Sequence, residues 1–432
     1  MSSFNFNEMS SAIVELNAPF GVDSHTSIVT PLPRLPPELM DYIIDHLHKS
    51  SKELKVLGLV CRAWLISTRY HLFRTIRVLG SCKHRGQHNT PRSLNTLSKL
   101  LRTPSSTIRN CIRALTVTSK RIGSTVAEQS RVRISSLLTL LELLPNLETL
   151  KFRDVYIMDH IAMTPPHSNV CPRLHRIELH LVGASTCLPL LALIRCFRSV
   201  KSIHIHQVQV QAVSSSLLPF FSEDERIPVQ EISFMDSRFG GHVHQLIEGL
   251  FPLLDRSAVE IVEIRDLNSL GNNDIRLING FLPGIKTIKG MVPDRDEIYD
   301  DTGVRLEISP WTNLQSIIIA TRSLYREELR FLKRLPSPCP LSQLAIHFHL
   351  CPNKKDYLHR TLAAKLIWAE VGQQVYHLPS LTSVHIAILW GFPWKGECEI
   401  TSEEVNALQE YLQLPARCRL TIQESYDDAD ET

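Results

Sequence analysis

The nine residues Leu144 to Phe152, LPNLETLKF, carry the pattern that decides the fold of most of this chain. Apolar side chains stand at Leu147, Leu150 and Phe152. The last two are separated by one residue, which is the spacing of a strand whose alternate side chains share one face. The segment therefore predicts a short strand that buries Leu150 and Phe152 and places Lys151 on the opposite face.

The same spacing of apolar residues recurs along the chain. From Leu147 to Leu341, successive copies begin 26 to 30 residues apart. The copies begin at Phe73, Ile112, Leu147, Leu174, Val200, Val229, Val259, Ile285, Leu314, Leu341 and Leu381. A period of this size indicates stacked units, each of which adds one strand to a shared core.

Segments with helical periodicity lie between the copies, at residues 134–144, 188–197, 243–254, 324–335 and 403–412. A repeated strand, turn and helix resembles the layout of a leucine-rich-repeat solenoid, with parallel strands and helices on the outer face. The asparagine or cysteine expected after each strand is mostly absent, so the array is predicted to be irregular. A compact α/β domain with a parallel sheet is the alternative.

A second informative stretch, residues 32–78, is rich in helical patterns: LPRLPPELMDYIIDHLHKSSKELKVLGLVCRAWLISTRYHLFRTIRV. Pro36 and Pro37 predict a helix start. Ser50 and Glu53 predict a capping box that opens a second helix, whose apolar period continues through Cys61 to Trp64 and Leu65. Fewer than about 50 residues cannot hold a full core alone. These helices are therefore expected to bury their apolar side chains against a partner.

This stretch resembles the F-box motif in its opening LPPEL (35–39) and its centre VCRAW (60–64). The resemblance implies a short three-helix domain that docks on the Skp adaptor of a cullin–RING ubiquitin ligase. The adaptor contacts it implies are Leu35, Pro36, Leu39, Ile43, Val60 and Trp64. Gly58 lies inside the second predicted helix, where glycine lowers helix stability by about 1 kcal/mol relative to alanine. It either thins the docking surface or lets another helix come close.

The predicted organisation is mixed α/β. It comprises a flexible lead (1–31), an F-box (32–75), a leucine-rich-repeat-like solenoid (76–422) and an acidic tail (423–432). An F-box followed by irregular leucine-rich repeats resembles a set of fungal F-box proteins. That resemblance implies a substrate-receptor subunit of an SCF-type ubiquitin ligase, which holds a target protein on its solenoid.

Positive charge is concentrated between residues 74 and 133, which hold thirteen lysines and arginines against one acid, Glu128. Such a segment attracts nucleic acid, but it contains no aromatic residue for base stacking. A solvated basic face, or a surface for an acidic or phosphorylated protein, is the preferred interpretation. A basic protein associated with nucleic acid is the weakest alternative.

Side chains that alternate with the core positions are predicted to line the concave face of the solenoid. The candidate target-binding residues are Lys151, Arg153, Arg176, His180, His204 and His206, near Glu178. In later repeats the same positions are small or apolar: Ile318, Ala320, Ala345 and Ala387. Three histidines could bind zinc, but no carboxylate or cysteine is placed to complete that site, so no metal is predicted.

No motif for a hydrolase, metalloprotease, kinase or dinucleotide-binding enzyme is present, so neither catalysis nor a cofactor is predicted. The ten cysteines form no CxxC pair, which favours reduced thiols in the cytoplasm or nucleus. No signal peptide and no membrane partner are predicted. A non-catalytic F-box scaffold that acts outside a ligase remains the alternative to the substrate receptor.

Overall fold

The structure is a computed structural model that describes residues 36–80, 94–104, 106–119, 130–158, 173–210, 226–234, 246, 249–250, 252–264, 284–292, 313–321, 339–350, 365–390 and 401–426. The chain divides into two compact units, Met1–Arg198 and Ser199–Thr432. Each unit contains helices and a parallel sheet, so the chain is mixed α/β as the sequence predicts. The boundary between the units lies inside the predicted repeat array.

The described part of the first unit begins with the helices α1 (Pro37–His46), α2 (Ser51–Val60) and α3 (Arg62–Phe73). Pro36 is the N-cap of α1, as predicted from the fixed φ of proline. The prediction that one helical period continues through Cys61 is wrong. Cys61 is extended, with φ −159° and ψ 165°, so the helix ends at Val60 and the chain changes direction before α3.

Helix α3 contacts both α1 and α2. On the α1 side, Trp64 Nε1 donates to Met40 Sδ at 2.7 Å. On the α2 side, a Cβ added to Gly58 would lie 3.2 Å from Thr68 Oγ1, and Thr68 is fully buried. Gly58 therefore lets α2 and α3 approach closely, which is the second of the two roles considered for it.

The first unit has strands β1 (Thr75–Leu79), β2 (Ala114–Thr118), β3 (Ser130–Arg133), β4 (Thr149–Met158) and β5 (Leu174–Ala184), with helices α4 (Leu94–Arg102), α5 (Ile134–Leu141) and α6 (Leu188–Arg195). Strands β1, β2, β4 and β5 are parallel neighbours in that order. Strand β3 pairs with the later part of β4. The parallel pairing predicted for consecutive copies is confirmed in this unit.

The second unit has strands β6 (Val200–His206), β7 (Gln209–Val210), β8 (Ile227–Phe234), β9 (Leu254–Asp255), β10 (Ile261–Ile264), β11 (Thr287–Val292), β12 (Ser316–Thr321), β13 (Gln343–Leu350), β14 (Ser383–Trp390) and β15 (Arg419–Tyr426), with helices α7 (Lys365–Tyr376) and α8 (Ser402–Leu412). Strands β6, β8 and β10 to β15 are parallel neighbours in chain order. Strand β9 pairs with the start of β8.

The register of these strands aligns the predicted core positions in rows. Two such rows are Leu115–Leu150–Ile177 in the first unit and Ile317–Leu344–Val384 in the second. Every member is at most 1% exposed. Each strand therefore buries its apolar face together with the corresponding face of its neighbours, as the repeated spacing predicts.

Two predictions from local patterns need correction. Ser50 is the N-cap of α2, but its side chain makes no capping hydrogen bond, so the predicted capping box is absent. A complete one occurs at α8, where Thr401 Oγ1 accepts from the N–H of Glu404 and the N–H of Thr401 donates to Glu404 Oε2. Strand β15 continues to Tyr426 and so includes residues 423–426, which were assigned to the tail.

Several predicted features lie outside the described residues. They include the lead (1–31), the helix at 324–335, most of the helix at 243–254, and Leu35.

Candidate interaction surfaces

The three helices at the start of the described chain each expose large apolar side chains. Six of these side chains are between 50% and 76% exposed: Leu39 and Tyr42 on α1, Val56, Leu59 and Val60 on α2, and Ile66 on α3. Elsewhere in the described chain, Tyr376 is the single large apolar residue of comparable exposure. These six residues are called the helical apolar surface below.

The exposure follows from the faces that the helices use to contact one another. Three contacts join α1 to α3: Trp64 Nε1 with Met40 Sδ (2.7 Å), Ser67 Oγ with Asp41 Oδ1 (2.7 Å) and His71 Nε2 with Asp45 Oδ1 (2.8 Å). Leu39 and Tyr42 are three residues apart on another side of α1. Val56, Leu59 and Val60 share one side of α2 by their i, i+3, i+4 spacing. Packing among the three helices therefore leaves both groups in water.

The residues predicted to contact an adaptor are only partly the exposed ones. Leu39 and Val60 belong to the helical apolar surface, and Pro36 is exposed beside it. Ile43 and Trp64 are half-buried between the helices. Sequence reasoning missed Tyr42, Val56, Leu59 and Ile66, because a motif match transfers positions but does not show which helix faces become internal.

A second candidate surface lies on the open face of the first unit's sheet, between the buried rows. Its residues are Arg77 on β1, Lys151 and Arg153 on β4, and Arg176, Glu178 and His180 on β5. The register places Arg77, Thr116, Lys151 and Glu178 in one row across the sheet. Arg153 lies opposite His180 in the next row. This group is called the basic strand face.

Glu178 already binds two of the predicted target-binding cations. Its Oε2 lies 3.2 Å from Lys151 Nζ, and its Oε1 lies 2.6 Å from Arg176 Nε. Arg153 is exposed and has no ion pair among the described residues, and the same is true of Arg77. The cations available to a ligand are therefore Arg77 and Arg153 first, with Lys151 and Arg176 held around a carboxylate.

His180 lies at the edge of this group as a neutral side chain. Burial lowers the pKa of its imidazole, and the adjacent positive charge of Arg153 lowers it further, against smaller opposing effects from Asp154 and Glu178. A neutral histidine can donate or accept a hydrogen bond near Arg153 without adding charge.

The basic segment identified in the sequence is largely exposed where it is described. Its exposed cations are Arg74, Arg77, Lys99, Arg102, Arg109, Arg131 and Arg133. Arg113 is half-buried and lies 3.3 Å from Glu148. In the described part of this segment, the positive charge is therefore mostly presented to solvent rather than neutralised inside the fold.

The two later histidines belong to the second unit and are not part of the basic strand face. His204 is only 9% exposed and lies opposite Ser233 on β8. His206 is half-buried. Of the small or apolar positions predicted on later repeats, Ile318, Ala320 and Ala345 are half-buried, whereas Ala387 is buried. Ala387 is therefore not accessible to a target.

Within the described ranges, no group of three histidine, cysteine or acidic side chains could hold a metal ion. None of the described helices combines the length and apolar character needed to cross a membrane.

No protein-family model matches the chain, and a search of curated proteins finds no match.

Proposed function

We propose that this chain is the substrate-receptor subunit of an SCF-type ubiquitin ligase, with residues 32–75 acting as an F-box. One observation carries the proposal: six large apolar side chains are exposed in the segment that bears the LPPEL and VCRAW motifs. Large exposed apolar patches usually mark protein interaction sites. The Skp adaptor is the partner that the motif resemblance implies.

The strength of this docking can be estimated from the exposed side chains. Full burial of a leucine or valine side chain stabilises by about 1.5–3 kcal/mol. A few such residues at the centre of an interface dominate its binding energy. Leu59 and Val60 are neighbouring residues of α2 that are 71% and 60% exposed, so both can bury further area in an apolar groove.

The stacked strands supply the second part of the proposal. We assign them to an irregular leucine-rich-repeat-like solenoid that captures a target protein. Tethering raises the effective concentration of the target near the ubiquitin-loaded enzyme, and this proximity is the mechanism. The chemistry of ubiquitin transfer belongs to other subunits, and the chain itself acts without a cofactor.

The basic strand face indicates the chemistry of the target. Arg77 and Arg153 present guanidinium groups that can each bond two oxygens of a carboxylate or phosphate. A target segment with acidic or phosphorylated residues fits this face. Its binding should weaken with added salt, since both arginines are exposed.

The adaptor proposal is tested by co-purification from cells with the Skp adaptor and cullin. The double substitution Leu59→Ser and Val60→Ser should weaken adaptor binding by roughly 3 kcal/mol, or about 100-fold. These positions are better choices than Trp64, whose ring also joins α3 to α1. The matched control is Tyr376→Ser, which removes an exposed apolar side chain from the second unit.

The outcomes separate the alternatives. Unchanged adaptor binding by the folded Leu59, Val60 variant contradicts docking through the helical apolar surface. Adaptor capture without cullin favours a scaffold outside a ligase. Salt-dependent binding to duplex DNA, with no adaptor capture, favours a nucleic-acid-associated protein.

A further inference from the structure

Arg69 on α3 is a half-buried cation that has no acidic partner among the described residues. Its contact in that part of the chain is with a neutral group, because Nη1 donates to Thr107 Oγ1 at 3.1 Å. Arg113, by contrast, lies against the carboxylate of Glu148. A guanidinium has five N–H donors, so one hydroxyl leaves most of the hydrogen-bonding capacity of Arg69 for water or an anion.

Thr107 presents its hydroxyl to solvent near the end of the segment that joins α4 to β2. It is exposed, and it precedes a single 3₁₀ turn, Ile108–Asn110, which packs against α3. Its side chain makes no capping hydrogen bond to that turn. The hydroxyl is therefore accessible to an enzyme, and it is contacted by an arginine that belongs to another helix.

The surroundings of Thr107 are positively charged. Its carbonyl accepts from Cys111 Sγ at 3.7 Å, so Cys111 is adjacent to it. Burial raises the pKa of the Cys111 thiol, and the positive charges of Arg69 and Arg113 oppose that rise, so both guanidinium groups lie near Cys111. Arg109, two residues after Thr107, is exposed. An anion attached at Thr107 Oγ1 therefore meets Arg69 directly and is attracted by two further arginines.

The other described hydroxyls of this segment lack one or both of these features. Thr103 is exposed, but its Oγ1 donates to the carbonyl four residues earlier, at 3.4 Å. Ser106 Oγ is buried. Thr107 alone among them combines exposure with a facing arginine. The exposed side chains of Arg102 and Arg109 on either side of it in sequence suit a kinase whose substrate groove is acidic.

We propose that Thr107 is a phosphorylation site, and that its phosphate fastens α3 to the turn before β2 by binding Arg69. A kinase transfers the γ-phosphoryl group of ATP. The bond from phosphorus to Thr107 Oγ1 forms, the bond to the β-phosphate oxygen breaks, ADP leaves, and the hydroxyl proton is released. The product carries roughly −1.5 to −2 charge at pH 7, and the guanidinium of Arg69 can bond two of its oxygens. This modification does not depend on the proposed ligase function.

Hydrogen exchange of the full chain, with phosphothreonine installed at position 107 during translation, tests this contact. Amides of residues 62–73 and 107–113 should exchange about threefold to tenfold more slowly than in the unmodified chain, because each opening of α3 away from the turn also breaks a partly exposed ion pair. The protection should decrease as salt is added. The matched control is phosphothreonine at position 103, which adds the same charge to the same segment without a described arginine contact. It should leave exchange of residues 62–73 unchanged.

Arg69→Gln separates the charge of this side chain from its hydrogen bond. Glutamine can still donate to the Thr107 hydroxyl but carries no charge. The unmodified variant should therefore exchange like the wild type, and phosphorylation of Thr107 should add no protection in it. Inorganic phosphate at about 10 mM should not protect α3 of the unmodified wild type, because an unattached anion lacks the high effective concentration of an attached one.

Phosphopeptide mapping of the chain isolated from its own cells, with phosphatases inhibited, should find phosphate on Thr107. The proposal is wrong if Thr107 carries none. It is equally wrong if phosphothreonine at 107 gives no more protection than phosphothreonine at 103, or if the protection persists in Arg69→Gln. Protection by inorganic phosphate alone would show a site for an unattached anion in place of a modification site.

Discussion

Substitution of Gly372 tests how closely helices α7 and α8 must approach each other. Gly372 is buried inside α7, and a Cβ added there would lie 1.8 Å from the carbonyl oxygen of Leu412 and 2.7 Å from its carbonyl carbon. Leu412 is the last residue of α8 and is fully buried. Gly372→Ala therefore forces a methyl group into a backbone group that no side-chain rotation can move aside.

The expected loss follows from the size of this overlap. Carbon atoms attract best at about 3.5 Å, whereas the added Cβ would lie 2.7 Å from the carbonyl carbon of Leu412, so the helices would have to separate locally by about 0.8 Å or more. Overpacking of this kind costs about 1–3 kcal/mol and occasionally more. The higher helix propensity of alanine returns about 1 kcal/mol. Because the obstacle is backbone, we expect a net loss near the upper end, about 2 kcal/mol.

Urea unfolding followed by the fluorescence of Trp368 measures this loss close to the substitution. Trp368 is fully buried in α7, and its ring meets Phe348 edge-on at 6.1 Å. A loss of about 2 kcal/mol lowers the urea midpoint by roughly 1 M. In the matched control, Gly58→Ala, the added Cβ meets a side-chain oxygen at 3.2 Å, so the same propensity gain should leave stability within about 1 kcal/mol of wild type. A midpoint for Gly372→Ala at or above that of wild type would refute the close approach.

Three further predictions concern a cap, a charge and a titration. Thr401→Ala should destabilise the chain by about 0.5–2 kcal/mol in urea unfolding, because it removes the hydroxyl that caps α8; no change would mean that α8 frays without consequence. Arg153→Glu should abolish capture of an acidic target while adaptor binding persists, and an unchanged set of captured proteins would exclude the basic strand face. The lowered pKa of His180 means that the unfolded chain binds a proton before the folded one, so stability should fall as the pH drops below about 6.5. His180→Gln should flatten this part of the stability profile, and an identical slope in the two proteins would contradict it.

The strand positions could be predicted because burial repeats in them at a fixed spacing. Leu150 and Phe152 are buried by neighbours that carry the same spacing one repeat away, so local pattern and final packing agree. Positions where backbone geometry departs from that pattern were not predictable. Asp154 and Leu181, for example, occupy corresponding places on β4 and β5 with φ values of 57° and 53°. Glycine often marks a left-handed backbone position in a sequence, but aspartate or leucine in that conformation gives no comparable signal.

The candidate surfaces were harder to predict than the strands for a related reason. The basic face of β4 followed from alternation, but the binding of Lys151 and Arg176 by Glu178 depends on side chains that meet across two strands. The break at Cys61 likewise changes which faces of α2 and α3 become internal. Sequence periodicity predicted a single apolar face that runs along both helices. The extended backbone of Cys61 instead changes the direction of the chain before α3. Val60 was therefore left in water although its helical spacing suited a core.

Among the described residues, most of the exposed large apolar side chains lie on the helices that precede the stacked strands. A stacked strand is covered on both sides only when it has two neighbours, so a terminal strand needs another kind of cover. At β1, helix α4 provides it, and Ile76 and Val78 are 6% and 2% exposed. At β15, the described residues leave Leu420 and Ile422 half-buried. The helical cluster before β1 has the same deficit in another form, since three short helices cannot cover all of their own faces. The places in the described chain that lack full cover are thus set by the geometry of stacking rather than by a local motif.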